Sequence, residues 1–145
     1  MRVSDILRTK PNTGVETVGP KEKVARVATV LSGKKIGTVV VSSDGKSPDG
    51  ILSERDIVRE IGRRGHGCLD ETAADLMTVK VQTCGPNDSA EAVLKTMTQG
   101  RFRHMPVMDG GEMTGLVSLG DVVKSQLREL EREKEALTDM IMGHA

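Results

Sequence analysis

Val15-Glu16-Thr17-Val18-Gly19-Pro20 returns as Val81-Gln82-Thr83-Cys84-Gly85-Pro86, a shift of 66 positions. The apolar set beyond each proline returns with it. Val24, Val27, Ala28 and Leu31 become Ala90, Val93, Leu94 and Met97, the i, i+3, i+4, i+7 spacing that puts apolar side chains on one face of a helix. Downstream, Thr38-Val39-Val40-Val41 and Met105-Pro106-Val107-Met108 read as short buried strands, closed by the turn formers Asp44-Gly45 and Asp109-Gly110-Gly111. Gly50-Ile51-Leu52-Ser53 and Gly115-Leu116-Val117-Ser118 supply the hairpin partners, at a shift of 65 because the first loop is one residue longer. A second helix closes each copy, from Glu54 to about Ile61 and from Leu119 onward.

Each copy therefore reads strand, helix, strand, strand, helix, behind a lead-in that also recurs, Asp5-Ile6-Leu7 as Asp75-Leu76-Met77. The expected fold class is α+β, with a first repeat over 1–62, a linker over 63–72, a second repeat over 73–126 and a C-terminal helix over 127–145. Gly62, Gly65 and Gly67 predict a mobile tip around the linker. Neither half is large enough to bury a sufficient core alone, so the two sheets are expected to pack about a pseudo-two-fold axis with a cleft between them.

Composition excludes several classes. The 145 residues hold 21 Lys plus Arg and 21 Asp plus Glu, a formal net charge of zero, so no strong field draws a nucleic-acid backbone or an anionic membrane. One Phe and no Trp or Tyr leave no stacking platform for single strands. Cys68 and Cys84 match no metal-ligand spacing, and a reducing cytoplasm is the expected setting. No uncharged apolar run approaches the ~18 residues of a membrane span, and the N-terminus begins in polar sequence. There is no Walker loop, no GxGxxG after a strand and no clustered acid–base pair, and His66, His104 and His144 fall in a linker, a strand entrance and a tail. No enzyme activity, required cofactor or metal site is expected.

Chemistry concentrates at two repeated tetrads, Ser53-Glu54-Arg55-Asp56 and Ser118-Leu119-Gly120-Asp121, each where a strand feeds a helix. A Ser there offers its hydroxyl beside unpaired backbone N–H groups, and an Asp one turn in can accept from both hydroxyls of a ribose. The same spacing is also a capping box, Ser as N-cap and the acid reaching back to the backbone. Arg101-Phe102-Arg103-His104-Met105-Pro106 brings cations to a buried strand entrance, where Lys35-Ile36-Gly37-Thr38-Val39-Val40 has Gly37-Thr38 instead of Arg103-His104. One half should bind phosphate better. The alternative for Arg103 and His104 is a surface salt bridge to an acid such as Asp109.

The repeat order, the Gly-Ile-Leu-Ser-x-x-Asp and Gly-Leu-Val-Ser-x-x-Asp endings and Arg-Phe-Arg-His-Met-Pro-Val together resemble a tandem pair of cystathionine-β-synthase (CBS) domains, a Bateman module, of the stand-alone bacterial type. The resemblance spans about Val3 to Val123. It implies a regulatory module that binds adenosine compounds (AMP, ADP, ATP, NAD(H) or S-adenosylmethionine) between the repeats, in crossed pockets. Ser53, Arg55 and Asp56 would combine with Thr83, Phe102, Arg103 and His104. The mirror site would use Ser118, Gly120 and Asp121 with Thr17, Ile36, Gly37 and Thr38. That second pocket lacks a cation matching Arg103, and Lys35 is the nearest candidate. Both carboxylates turned onto their own helix ends, with Arg103 out in solvent, would count against that arrangement.

Beyond the repeats, Val123, Leu127, Leu130, Leu137 and Ile141 hold a 3-4 spacing, with Lys134 where an apolar residue is due. Such a stripe either lies on its own domain or joins two chains, so a homodimer, or docking of an unidentified protein target, is expected through it. A structural module acting through this helix, with vestigial pockets, is the alternative to a sensor.

Overall fold

A computed structural model describes residues 1–10 and 14–143; His144 lies outside the described residues. The order is α1 (Val3–Thr9), β1 (Thr17–Val18), α2 (Val24–Lys34), β2 (Thr38–Val41), β3 (Gly50–Ser53), α3 (Glu54–Arg64), a 3₁₀ turn (His66–Asp70), α4 (Ala73–Leu76), α5 (Ala90–Gly100), β4 (His104–Asp109), β5 (Glu112–Ser118) and α6 (Leu119–Ile141). The apolar stripes become cores. Val24, Val27 and Leu31 of α2 pack with Val39, Val41 and Leu52, while Ala90, Val93 and Met97 of α5 pack with Met105, Val107 and Val117. The architecture is the expected α+β pair.

In the first repeat β2 lies between β1, parallel, and β3, antiparallel. In the second, β4 and β5 form a hairpin, but the expected opening strand shrinks to one bridge between Cys84 and Val107. A single substitution explains the difference. The Val40 N–H donates to the Glu16 carbonyl, whereas its repeat equivalent Pro106 has no N–H to give Gln82. The next bond survives in both halves, Ser42 N–H to Val18 and Met108 N–H to Cys84.

The sheets meet back to back. Val39 and Val41 face α2, yet Val40, on the other side of the pleat, is also fully buried, as is expected when a second layer covers that face. Thr38 Oγ1 lies 3.3 Å from His104 Nδ1, and these two positions are equivalent by the 66-residue shift. A contact between equivalent residues falls on the pseudo-two-fold axis. At the far end of the hairpins the Met113 N–H donates to the Lys46 carbonyl and Lys46 approaches Glu112 at 3.7 Å.

The lead-ins are exchanged. Val3 and Ile6 of α1 belong to the core of the second repeat, and Ala73 and Leu76 of α4 to that of the first. Val3 and Ser4 N–H donate to Asp88 and Pro86, and Ala73 and Ala74 N–H to Glu22 and Pro20. This crossing explains the glycines that open β3 and the Gly-Leu-Val-Ser run. A Cβ on Gly115 would sit 2.9 Å from the Leu7 side chain, and one on Gly50 would sit 2.9 Å from the Thr78 carbonyl and meet Met77. Leu7 can shift, whereas the Thr78 backbone is held by a two-way bridge to Ile51. Gly50→Ala is expected to cost about 1–3 kcal/mol by overpacking and Gly115→Ala less, read from urea unfolding midpoints.

The linker is folded. α3 continues to Arg64, whose guanidinium pairs with Glu60 and Glu71, and Gly65 ends it at φ 81°. Cys68 is then buried and Leu69 packs on the first core, so apolar residues among the glycines hold down what composition alone reads as a mobile tip.

Candidate functional site

Both tetrads sit at the junction of the repeats because β2 pairs with β3 and β4 with β5. Thr38 stands opposite Ser53 and His104 opposite Ser118, so the Thr38–His104 contact joins the two strand ends into one line running from Ser53 to Ser118. Arg55 lies two residues beyond Ser53 and Arg103 one before His104, so each repeat brings one arginine to this line, and the charges of both reach His104.

Each tetrad is a capping box. Ser53 Oγ accepts from Asp56 N–H at 3.2 Å while Asp56 Oδ2 accepts from Ser53 N–H at 2.9 Å, and Ser118 and Asp121 repeat the pattern at 3.1 and 2.9 Å. The carboxylates therefore turn onto their own helix ends, contrary to the crossed-pocket expectation, and Arg103 is exposed. The reason is local: the first N–H groups of each helix and the strand end before it lie within reach of the side chains that follow them in sequence. The caps engage only Oδ2. Asp56 Oδ1 accepts from the largely exposed Arg59 at 2.8 Å, and Asp121 Oδ1 has no hydrogen bond among the described residues.

The environment of His104 is cationic. Burial pushes its pKa below the ordinary value of 6.5, Lys10, Arg103 and Arg55 push the same way, and only Asp121 opposes them. For Asp121, burial raises the pKa but the bonds from Lys10 and the Ser118 N–H outweigh it, leaving the carboxyl below its usual range. Neither Arg55 nor Arg103 forms an ion pair among the described residues, so the expected alternative of a bridge from Arg103 or His104 to Asp109 is not formed.

The other sequence candidates are distributed around this line. Thr17 is half-buried in β1, opposite Val40. Thr83 is exposed in the irregular segment that precedes the Cys84 bridge, and Gly120 is exposed beside Ser118 Oγ. Ile36 and Phe102 pack against the two cores, and the carbonyls of Gly37 and Arg103 accept from the first N–H of α3 and of α6. Lys35 does not supply the second pocket's cation. It occupies the left-handed position ending α2, φ 54°, on a groove between α2 and α3. The cation at Asp121 is Lys10, 2.9 Å away, which the repeat comparison of the cores could not reveal because α1 is exchanged; its recurrence as Lys80, five residues after Asp75, was the available signal.

The groove, about 480 Å³, is lined by Ala28, Ile36, Glu54 and Val58 among others. It lies outside the junction. In the second repeat the equivalent positions carry the larger Leu94, Phe102 and Leu119, all packed on the core. Among the described residues no group of three His, Cys, Asp or Glu is placed to hold a metal, and no helix is long and apolar enough to cross a membrane.

Two repeats of helix, hairpin and helix, joined at their Ser-x-x-Asp turns, define a class, and comparison with known proteins gives it a family. The CBS domain model matches residues 3–63 and 73–128, so the chain belongs to the CBS domain family and carries two copies. A mitochondrial CBS domain-containing protein of Arabidopsis thaliana, CBSX3, is 34% identical over 112 residues, covering 74% of this chain and 54% of its own length. The crystal structure of a CBS-domain containing protein from Agrobacterium tumefaciens matches with TM-score 0.81 and 38% identity, covering 87% of this chain and 99% of that one. A CBS domain pair solved with 5′-methylthioadenosine and S-adenosyl-L-methionine shares the fold, with TM-score 0.76, 21% identity and coverage of 89% and 98%.

Proposed function

We propose that this CBS domain pair senses an adenosine compound, AMP, ADP, ATP, NAD(H) or S-adenosylmethionine, between its repeats and reports occupancy to a partner or to a second copy. The observation that carries the reading is that Arg55 and Arg103, from opposite repeats and without ion-pair partners among the described residues, both bear on His104, which contacts Thr38 across the junction. Uncompensated guanidiniums attract phosphate, which they bind in bidentate geometry. Ser53, Arg55 and Asp56 with Thr83, Phe102, Arg103 and His104 form the first half-site; Thr17, Ile36, Gly37 and Thr38 with Ser118, Gly120 and Asp121 form the second. Asp56 Oδ1 takes the ribose hydroxyls once the exposed Arg59 swings away, while Oδ2 keeps the cap. Adenine lies against aliphatic side chains and backbone, which suits a chain with one aromatic residue. A solved pair of this fold with two adenosine compounds agrees in ligand class. Two free, buried thiols accord with work in a reducing cytoplasm.

Occupancy acts as a signal only if the ligand binds one arrangement of repeats or subunits better than another. Calorimetry with AMP, ATP, NADH and S-adenosylmethionine is expected to give saturable heat with at least one, and silence from all four removes the proposal. Arg103→Ala should weaken AMP more than adenosine. An anion beside His104 raises its depressed pKa, so a phosphorylated ligand is expected to bind with proton uptake and more tightly as pH falls from 7 toward 6. Titrations in buffers of different ionisation enthalpy read this directly.

A second reading rests on α6. After Val122 and Ser125 nothing in that helix is buried, and Leu127, Leu130, Leu137 and Ile141 are 54%, 59%, 60% and 83% exposed. We propose that the α6 of a second copy covers this seam as a coiled-coil-like pair, making a homodimer. Leu130→Glu with Leu137→Glu is expected to halve the mass seen by light scattering while leaving ligand binding in place; an unchanged mass refutes it.

A further inference from the structure

The two aspartates keep the same cap but differ in their second oxygen. At the first half-site Asp56 Oδ1 accepts from Arg59 at 2.8 Å, an arginine three residues further along α3 whose side chain is 58% exposed. The 65-residue shift places Lys124 at the equivalent point of α6, and Lys124 is exposed and makes no ion pair among the described residues. Lys10 approaches Asp121 at Oδ2, the oxygen already committed to the cap. Asp121 Oδ1 is left without a hydrogen bond, and it reaches solvent, because no buried side-chain oxygen or nitrogen lacks a partner among the described residues. One half-site has its second acceptor taken by its own helix, and the other holds it open.

We propose that Arg59 competes with the ribose hydroxyls of a ligand for Asp56 Oδ1, and so lowers the preference of that half-site for a ribose over a deoxygenated sugar, while the Asp121 half-site carries no such competitor. The inference rests on the sensor reading above. At Asp56 a ribose gains hydrogen bonds to the carboxylate but breaks the one from Arg59, so only the difference favours binding. A sugar without those hydroxyls leaves the arginine where it is and loses little. At Asp121 nothing has to leave Oδ1 when the hydroxyls arrive, because the bonds from the Ser118 N–H and Lys10 both fall on Oδ2. Arg59 is largely exposed, and its hold on Asp56 is that of a surface ion pair, which alters affinity by a few-fold and does not block the site.

Calorimetric titration of the full chain with adenosine and with 2′,3′-dideoxyadenosine tests this. Arg59→Ala is expected to tighten adenosine at the first half-site about two- to five-fold and to leave dideoxyadenosine unimproved, and Lys124→Ala is expected to change neither. In an Asp56→Asn background Arg59→Ala should bring no gain, because the amide nitrogen that replaces Oδ1 accepts nothing from an arginine. Unchanged adenosine affinity in Arg59→Ala, an equal gain for dideoxyadenosine, a matching gain from Lys124→Ala, or a gain that persists with Asp56→Asn overturns the inference and leaves the sensor reading standing. No heat from adenosine with the wild type also ends the inference, whereas the sensor reading falls only if AMP, ATP, NADH and S-adenosylmethionine are silent as well.

Discussion

Asp56→Asn is expected to weaken adenosine binding at the first half-site about ten- to one-hundred-fold while melting close to wild type. The tetrad does two things that alanine would remove together. As a cap, Asp56 needs only one oxygen to accept the Ser53 N–H, and the asparagine carbonyl does the same. As a ribose ligand it needs a second acceptor and a charge, and asparagine has neither at that position, because its amide only donates. Calorimetry beside thermal melting therefore separates the roles. Undiminished binding in Asp56→Asn would reduce the first tetrad to a helix cap and remove Asp56 from the ribose site.

Leu52→Ala is expected to lower stability by about 2–5 kcal/mol, the range for truncating a buried leucine. Leu52 is fully buried between α2 and the sheet of the first repeat, one residue before the Ser53 cap, and little around it can collapse into the gap. Val58→Ala on the exposed face of α3, at 68% exposure, should stay within about 0.5 kcal/mol of wild type. Because each core contains a helix from the other lead-in, the loss should shift the entire urea transition of both repeats. Separate transitions for the two halves would contradict that coupling.

Most of the fold was legible because duplication checks itself. The stripe at Val24, Val27 and Leu31 gained weight from Ala90, Val93 and Met97, and the hairpins came with a one-residue loop difference that located the turn. Pattern could not show that Pro106 would cost the second repeat its opening strand, since the missing donor matters only once Val40 is known to bond Glu16. Nor could composition distinguish a loose linker from one anchored by Cys68 and Leu69. At the site, the types of residue and the cationic edge were readable, and so was the ambiguity of Ser-x-x-Asp, which the structure displays in its capping form. Lys10 was invisible to a comparison made within each repeat, because its partner lies 111 positions away.

The exchange of α1 and α4 also orders the birth of the molecule. A chain emerging from the ribosome cannot finish its first core until Ala73 and Leu76 of α4 have been made, and α1, made earlier, waits for the second core. Cut at the 3₁₀ turn, each fragment would carry a helix that belongs to the other and lack one of its own. Folding then closes as a clasp in which α1 and α4 are each drawn into the opposite half, and a solitary repeat, however faithful its sequence, is an unfinished object.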